Sequence, residues 1–210
     1  MNSVGIMLRA LGRLRLAQAA IHRVMGHVAG WVFVFCAFFI AGDVIGRNFF
    51  GVSSQSSVEL TGYMLALGTT WALGHTLVER CHVRIDIIIQ RLPPNARYGL
   101  HIVSLALLVV FVGFIAKGAI DLVAESWLFQ ATDISLLRVP LVIPQGLWAI
   151  GFGMFFLLAT TMLVECIVLF GVGRGRDVER MLHARSYDEE AAEAIAAAGV
   201  DSSDAAQPRP

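Results

Sequence analysis

Four long apolar stretches constrain what this chain can fold into more than any other feature of its sequence. They cover residues 24–46, 58–78, 98–120 and 144–170. Each is long enough to cross the hydrocarbon core of a bilayer as a helix, which takes about 20 residues. Only 15% of the residues are charged, whereas a soluble domain has about 25%. We therefore predict an all-α membrane protein with four transmembrane helices, and we exclude a free cytosolic enzyme.

The arginines predict the orientation of these helices, because short loops rich in Arg and Lys stay in the cytoplasm. Three segments are arginine-rich: the one before the first stretch, the one between the second and third, and the one after the fourth. The opposite connections hold only Arg47 and Arg138, with Lys117 nearby. Both termini are accordingly expected in the cytoplasm.

The two ends of the chain differ in composition from the apolar domain at 24–170. Residues 1–23 are basic, with Leu8, Leu11, Leu14 and Ile21 on roughly one helix face, which predicts an amphipathic cytoplasmic segment on the membrane. A secretory signal or a mitochondrial presequence looks similar, but the first apolar stretch lacks a clean small-x-small cleavage site. Residues 171–210 become rich in Ala and acids and predict a flexible cytoplasmic tail.

The segment HVRIDIIIQRLPP is the most distinctive stretch between the second and third spans. Read as a helix, Ile85, Ile88, Ile89 and Leu92 form one stripe, and most of the polar residues lie away from it. This pattern predicts a short amphipathic arm helix along the cytoplasmic membrane surface. Pro93 and Pro94 then end that helix before the third span.

Motifs for catalysis, metal binding and nucleic-acid binding are missing from the sequence. We find no serine elbow, no zinc-binding helix, no phosphate loop and no paired intramembrane acids. The three cysteines, Cys36, Cys81 and Cys166, form no disulfide or metal framework. The arginines border apolar stretches and form no basic face for nucleic acid. We expect no enzyme activity, no cofactor and no metal.

His75 and His101 leave one alternative open. They lie near the cytoplasmic ends of the second and third spans and could face each other as axial ligands of a haem, as in a membrane anchor of a respiratory complex. Against this reading, both lie close to the arginine-rich side, where a histidine is hydrated. A stand-alone membrane enzyme is a third class, for which we can nominate no residue.

Charged side chains at membrane depth are costly and are candidates for function. Asp43 and Arg47 are four residues apart at the outer end of the first span, which predicts an intrahelical ion pair. Glu59 opens the second span, where the helix N-terminus favours a carboxylate. Glu165 lies about a turn and a half from the inner end of the fourth span, deep enough to need a partner.

Small residues recur at a four-residue spacing in several spans. The first span carries Gly26, Gly30, Ala37 and Ala41, and such stripes let helices approach closely. Packing within one small bundle and docking onto a larger membrane partner explain this spacing equally well.

In the order of its features the chain resembles the small permease subunit of the tripartite ATP-independent periplasmic (TRAP) transporters, the DctQ-like family. The resemblance rests on GRNFF around Arg47, on Glu59 with Leu60, on RCHVRID from Arg80 to Asp86, and on PLVIPQGLW from Pro140 to Trp148. It covers roughly residues 24–169. Ser56 and Ser57 replace a tryptophan frequent in the family, and Cys81 replaces a glycine.

This resemblance implies partners and a function. It implies a large permease subunit that carries the solute and sodium sites, a periplasmic solute-binding protein, and sodium-driven uptake of small carboxylates or related organic acids across a bacterial inner membrane. The chain would then brace the large subunit and contact membrane lipid. Our candidates for the subunit interface or the membrane surface are Arg47, Glu59, His82, Arg84, Asp86 and Glu165.

Overall fold

The computed structural model describes residues 3–52, 54, 56–79, 93–134 and 137–182, and the elements in these ranges are helices joined by short connections. Helix α1 (Ser3–Ile45) continues into a π-helical turn (Gly46–Phe50). It is followed by α2 (Ser57–Val78), α3 (Pro94–Leu128), α4 (Val142–Gly171) and the short α5 (Gly175–Leu182). Strands do not occur in these ranges, where a single bridge joins Thr132 to Pro140.

Three of the four predicted spans are confirmed as helices long and apolar enough to cross a membrane. They are Val4–Phe50, Ala96–Leu128 and Val142–Gly171. The second predicted span forms a helix, α2, but α2 is not among these three. Polar residues between its leucines, such as Thr69, Thr70 and His75, lower its hydropathy. Its crossing of the membrane therefore stays a prediction.

Helix α1 continues without interruption across residue 23, where we placed the boundary between the basic segment and the first span. Residues 3–23 and the first predicted span form one helix of 43 residues. At about 1.5 Å per residue it is roughly 65 Å long, about twice the hydrocarbon thickness of a bilayer. No proline lies within it to break the helix between the basic segment and the apolar stretch.

Helix α4 is the centre of the bundle, because it packs against α1, α2 and α3. Half of its most apolar stretch is buried, against 11% for α1 and 22% for α3. Its buried face forms the core, with Phe155, Leu158, Ala159, Met162, Cys166 and Leu169.

Consecutive long helices run antiparallel. Contacts of Asp43 with Ser57 and of Arg23 with Glu79 align α1 and α2 in opposite directions. For α3 and α4, Tyr98 lies against Gly175 and Gly113 against Phe156, which gives the same opposite alignment. One end of the bundle, here called the terminal end, therefore holds residues 3–23, 79, 93–101 and 165–182. The other, the loop end, holds residues 43–57 and 129–141.

Residues 175–182, which we expected in a flexible tail, form helix α5 and pack back onto the bundle. Val178 and Leu182 are buried, and Arg97 of α3 pairs with Glu179 at 2.8 Å. The two apolar side chains, four residues apart, lie on the face of α5 that packs on α3 and α4. The predicted arm helix at 85–92 and the tail from residue 183 lie outside the described residues.

Candidate functional site

The candidate residues from the sequence do not form one site in the described structure. Arg47 and Glu59 lie at the loop end, whereas Glu165 lies at the terminal end. His82, Arg84 and Asp86 lie outside the described residues. The polar contacts between the helices instead form several separate clusters.

The first cluster is the ion pair between Glu165 and Arg15. Glu165 is buried in α4, and Arg15 of α1 donates from Nε to its Oε2 at 2.8 Å. A buried carboxylate without a partner is costly, which is why we expected Glu165 to need one. The sequence did not identify Arg15 as that partner, because 150 residues separate the two and Arg15 is one of several basic residues before the first span. This pair joins α1 to α4.

The second cluster is a pair of reciprocal contacts between histidine and glycine on α1 and α2. The ring of His22 is fully buried against Gly74, and the ring of His75 lies against Gly26. A Cβ atom at either glycine would come within 3.0 Å of the opposing imidazole. His22 Nε2 also lies 3.2 Å from the carbonyl oxygen of Met154 in α4, the geometry in which a protonated nitrogen donates. Glycine on each helix makes room for the imidazole of the other.

The haem alternative required His75 and His101 to face each other. His75 instead packs on Gly26 of α1. His101 is buried on α3, which packs mainly on α4 and α5. These contacts place His75 and His101 in different surroundings, and they lend no support to a shared haem.

The third cluster lies at the loop end, around Tyr63. Its hydroxyl lies 3.0 Å from Oε1 of Glu59, one helical turn away, and makes a short hydrogen bond to Oδ2 of Asp133. A phenol has a single proton to donate, so two carboxylates compete for one donor. This contact joins α2 to the connection between α3 and α4. Sequence spacing could have found Glu59 with Tyr63, but nothing local indicates Asp133.

Asp43 makes hydrogen bonds that the sequence did not predict. Its carboxylate accepts hydrogen bonds from the backbone N–H of Ser54 at 2.7 Å and from Oγ of Ser57 at 3.0 Å. Through these hydrogen bonds Asp43 links the end of α1 to the start of α2. The ion pair with Arg47 stays a prediction.

Arg47 is exposed within the π-helical turn, followed by the exposed aromatic side chains of Phe49 and Phe50. Gly51 closes the turn with a positive φ of 65°, and its N–H bonds to the carbonyl of Gly46. Glycine adopts this left-handed conformation without a steric cost. The turn presents Arg47 and both aromatic rings to the surroundings of the chain.

Within the ranges that the structure describes, no group of three or more His, Cys, Asp and Glu residues could hold a metal ion. The long helices also meet where side chains pack on small residues, as with Thr70 and Trp71 of α2 against Gly151 of α4. Trp71 also donates from Nε1 to the carbonyl of Leu147 at 3.0 Å.

Comparison with known proteins identifies a family. The model of the family described as "Tripartite ATP-independent periplasmic transporters, DctQ component" matches residues 36–169, which is more than half of the chain. Neither the curated proteins nor the solved structures give a match. The matched range begins late in α1 and ends near the end of α4, so it includes Arg47, Glu59, the HVRID segment and Glu165.

Proposed function

This chain belongs to the family of DctQ components, the small membrane subunits of tripartite ATP-independent periplasmic transporters, and from that premise we propose that it braces a large permease subunit. In this proposal the large subunit carries the solute and sodium sites. A periplasmic solute-binding protein delivers a small carboxylate or a related organic acid, and a sodium gradient drives its uptake. The match over residues 36–169 is the observation that carries the proposal.

The packing of the helices supports a bracing role. The interior around α4 is filled by fully buried side chains such as Phe155, Leu158 and Cys166. In this region the helices contact one another directly through packed side chains. Helices α1 and α3 keep most of their apolar surface exposed, including Trp31, Phe38 and Phe114. Exposed apolar surface of this extent suits lipid and a membrane partner.

We further propose four crossings of a bacterial inner membrane, with α2 as the fourth and with both termini in the cytoplasm. The distribution of arginines supports this topology. The antiparallel order of the long helices brings the arginine-rich ends together at the terminal end, with Arg9, Arg15, Arg23, Arg97 and Arg174. Arginine-rich ends of this kind face the cytoplasm.

The candidate residues enter this proposal in two groups. Arg47, beside two exposed phenylalanines, and Glu59 belong to the loop end and contact the large subunit there. His82, Arg84 and Asp86 anchor the cytoplasmic arm to the membrane surface or to that subunit. Glu165 supports the interface indirectly, since Arg15 of the same chain is its ion-pair partner.

Reconstitution tests this function. The large permease subunit is placed in liposomes with and without this chain, the binding protein is loaded with a radiolabelled organic acid, and uptake is measured under an inward sodium gradient. We expect uptake only when this chain is present and the gradient is imposed, and we expect a tagged chain to co-purify the large subunit stoichiometrically. Equal uptake without this chain would contradict the proposal.

A further inference from the structure

We propose that a groove at the terminal end of the bundle binds an anionic phospholipid of the adjacent leaflet. The groove lies between the first part of α1, the second half of α4 and helix α5, with a volume of about 710 Å³. This is within the range of about 300–1,000 Å³ that small-molecule sites occupy. The inference goes beyond the proposed function, because lipid binding is measured independently of transport.

The floor of the groove is apolar. The part of it that a ligand can reach is formed by Leu8 and Leu16 of α1 and Met181 of α5, whereas Leu158 and Met162 of α4 are buried. Leu8 and Leu16 are about 12 Å apart along the helix at 1.5 Å per residue. Half of the hydrocarbon thickness of a bilayer is about 15 Å. The floor can therefore accommodate much of an acyl chain that extends into one leaflet.

Four arginines line the same groove: Arg9, Arg15, Arg23 and Arg174. The lining holds two carboxylates, Glu165 and Asp177, so that positive charge is in excess. Arg15 pairs with Glu165 at 2.8 Å, and Arg23 pairs at 3.5 Å with Glu79, which does not line the groove. The charge of the lining thus favours an anion, as do basic pockets between transmembrane helices on the cytoplasmic side.

Arg9 and Arg174 are the residues best placed to hold a lipid phosphate. Arg9 is exposed and has no ion pair among the residues that the structure describes. Arg174 pairs with Asp177 at 2.6 Å, but its side chain is 57% exposed, and such surface pairs contribute only about 0–1 kcal/mol. A guanidinium has five N–H donors, so Arg174 can bind a phosphate oxygen without releasing Asp177.

An amphiphile fits this combination better than a free anion does. A free phosphate would use the arginines but leave the apolar floor in water, whereas a neutral lipid would leave Arg9 without an anion. A phospholipid with net negative charge satisfies both surfaces at once. We therefore assign the groove to a lipid such as phosphatidylglycerol, with its phosphate at Arg9 and Arg174 and one acyl chain along Leu8 and Leu16.

Native mass spectrometry of the full-length chain in detergent tests this assignment. Phosphatidylglycerol and phosphatidylcholine with identical acyl chains are titrated separately, and bound lipid is counted. The variant Arg9→Gln/Arg174→Gln removes both proposed phosphate ligands. Arg13→Gln is the matched control, because Arg13 is an exposed arginine on α1 that does not line the groove.

We expect one phosphatidylglycerol to bind in preference to phosphatidylcholine. Its affinity should fall at least about tenfold in the double variant and should be unchanged in Arg13→Gln. Displacement by inorganic phosphate would identify a free anion as the ligand and overturn the lipid assignment. Equal binding of the two lipids, or an equal loss in Arg13→Gln, would also overturn it. If phosphatidylglycerol binds only after residues 188–210 are removed, the acidic tail occupies the groove instead, and the proposal fails.

Discussion

The imidazole of His22 lies directly on Gly74, with no space between them for even a single additional methyl group. His22 is fully buried, and its ring contacts α2 at Gly74 while Nε2 lies 3.2 Å from the carbonyl oxygen of Met154 in α4. One side chain of α1 thus contacts both of the helices against which α1 packs. Interfaces of this kind depend on glycine, because close approach of two backbones requires the absence of a side chain.

We predict that Gly74→Ala destabilises the protein by about 1–3 kcal/mol, the usual effect of overpacking a close-packed interface. The added Cβ would overlap the ring of His22. Thermal unfolding of the detergent-solubilised protein measures the effect. Gly62→Ala is the control, since a Cβ at position 62 of the same helix would meet nothing within 4 Å. Similar unfolding temperatures for the two variants would show that the contact does not constrain the helices.

The ion pair between α1 and α4 leads to a second prediction. Glu165→Gln removes the charge that Arg15 contacts at 2.8 Å, and we expect a loss of about 1–3 kcal/mol in the free energy of unfolding. Adding Arg15→Gln recovers part of the loss, because the unpaired cation is then removed. The four proteins form a double-mutant cycle measured by denaturant unfolding. Additive effects of the two substitutions would contradict a direct interaction.

Tyr63 is the basis of a third prediction. Tyr63→Phe leaves Glu59 and Asp133 without their shared donor, and we expect a destabilisation of about 1–3 kcal/mol. Asp133→Asn in the same background replaces one of the two carboxylates with a neutral amide, which has its own N–H donors. We expect this change to restore part of the stability. Thermal unfolding at neutral pH measures both effects. A Tyr63→Phe variant as stable as the parent would show that the hydroxyl contributes nothing.

The contact of Asp43 with the backbone of Ser54 predicts local protection from hydrogen exchange. In Asp43→Ala the amide of Ser54 loses its acceptor, which lies at 2.7 Å. A hydrogen bond to a charged group contributes about 1.5 kcal/mol or more, so we expect the exchange rate of this amide to rise at least about tenfold. Asp121→Ala serves as the control, because the pair of Asp121 with Lys117 is exposed. Unchanged exchange at Ser54 in Asp43→Ala would argue against this fastening of α1 to α2.

The prediction of the fold was most accurate where apolar length decides the outcome. Three predicted spans coincide with helices long and apolar enough to cross a membrane, because apolar runs of this length must satisfy their backbone hydrogen bonds within the segment. Helix ends were less accurate. Helix α1 continues through residue 23, and α5 forms where a flexible tail was expected. Neither outcome depends on apolar run length, since the first follows from the absence of a helix breaker and the second from packing on α3 and α4.

The sequence by itself determined the helical class, the membrane location and, through the motifs around Arg47, Glu59 and HVRID, the family. These properties depend on hydropathy, charge order and local pattern, which can be read along the chain. Only the tertiary structure decided which partners meet: Arg15 with Glu165, His22 with Gly74, and Asp133 with Tyr63. The reason is physical, because each of these contacts joins residues far apart in sequence, and their meeting depends on which helix faces pack and at what axial offset.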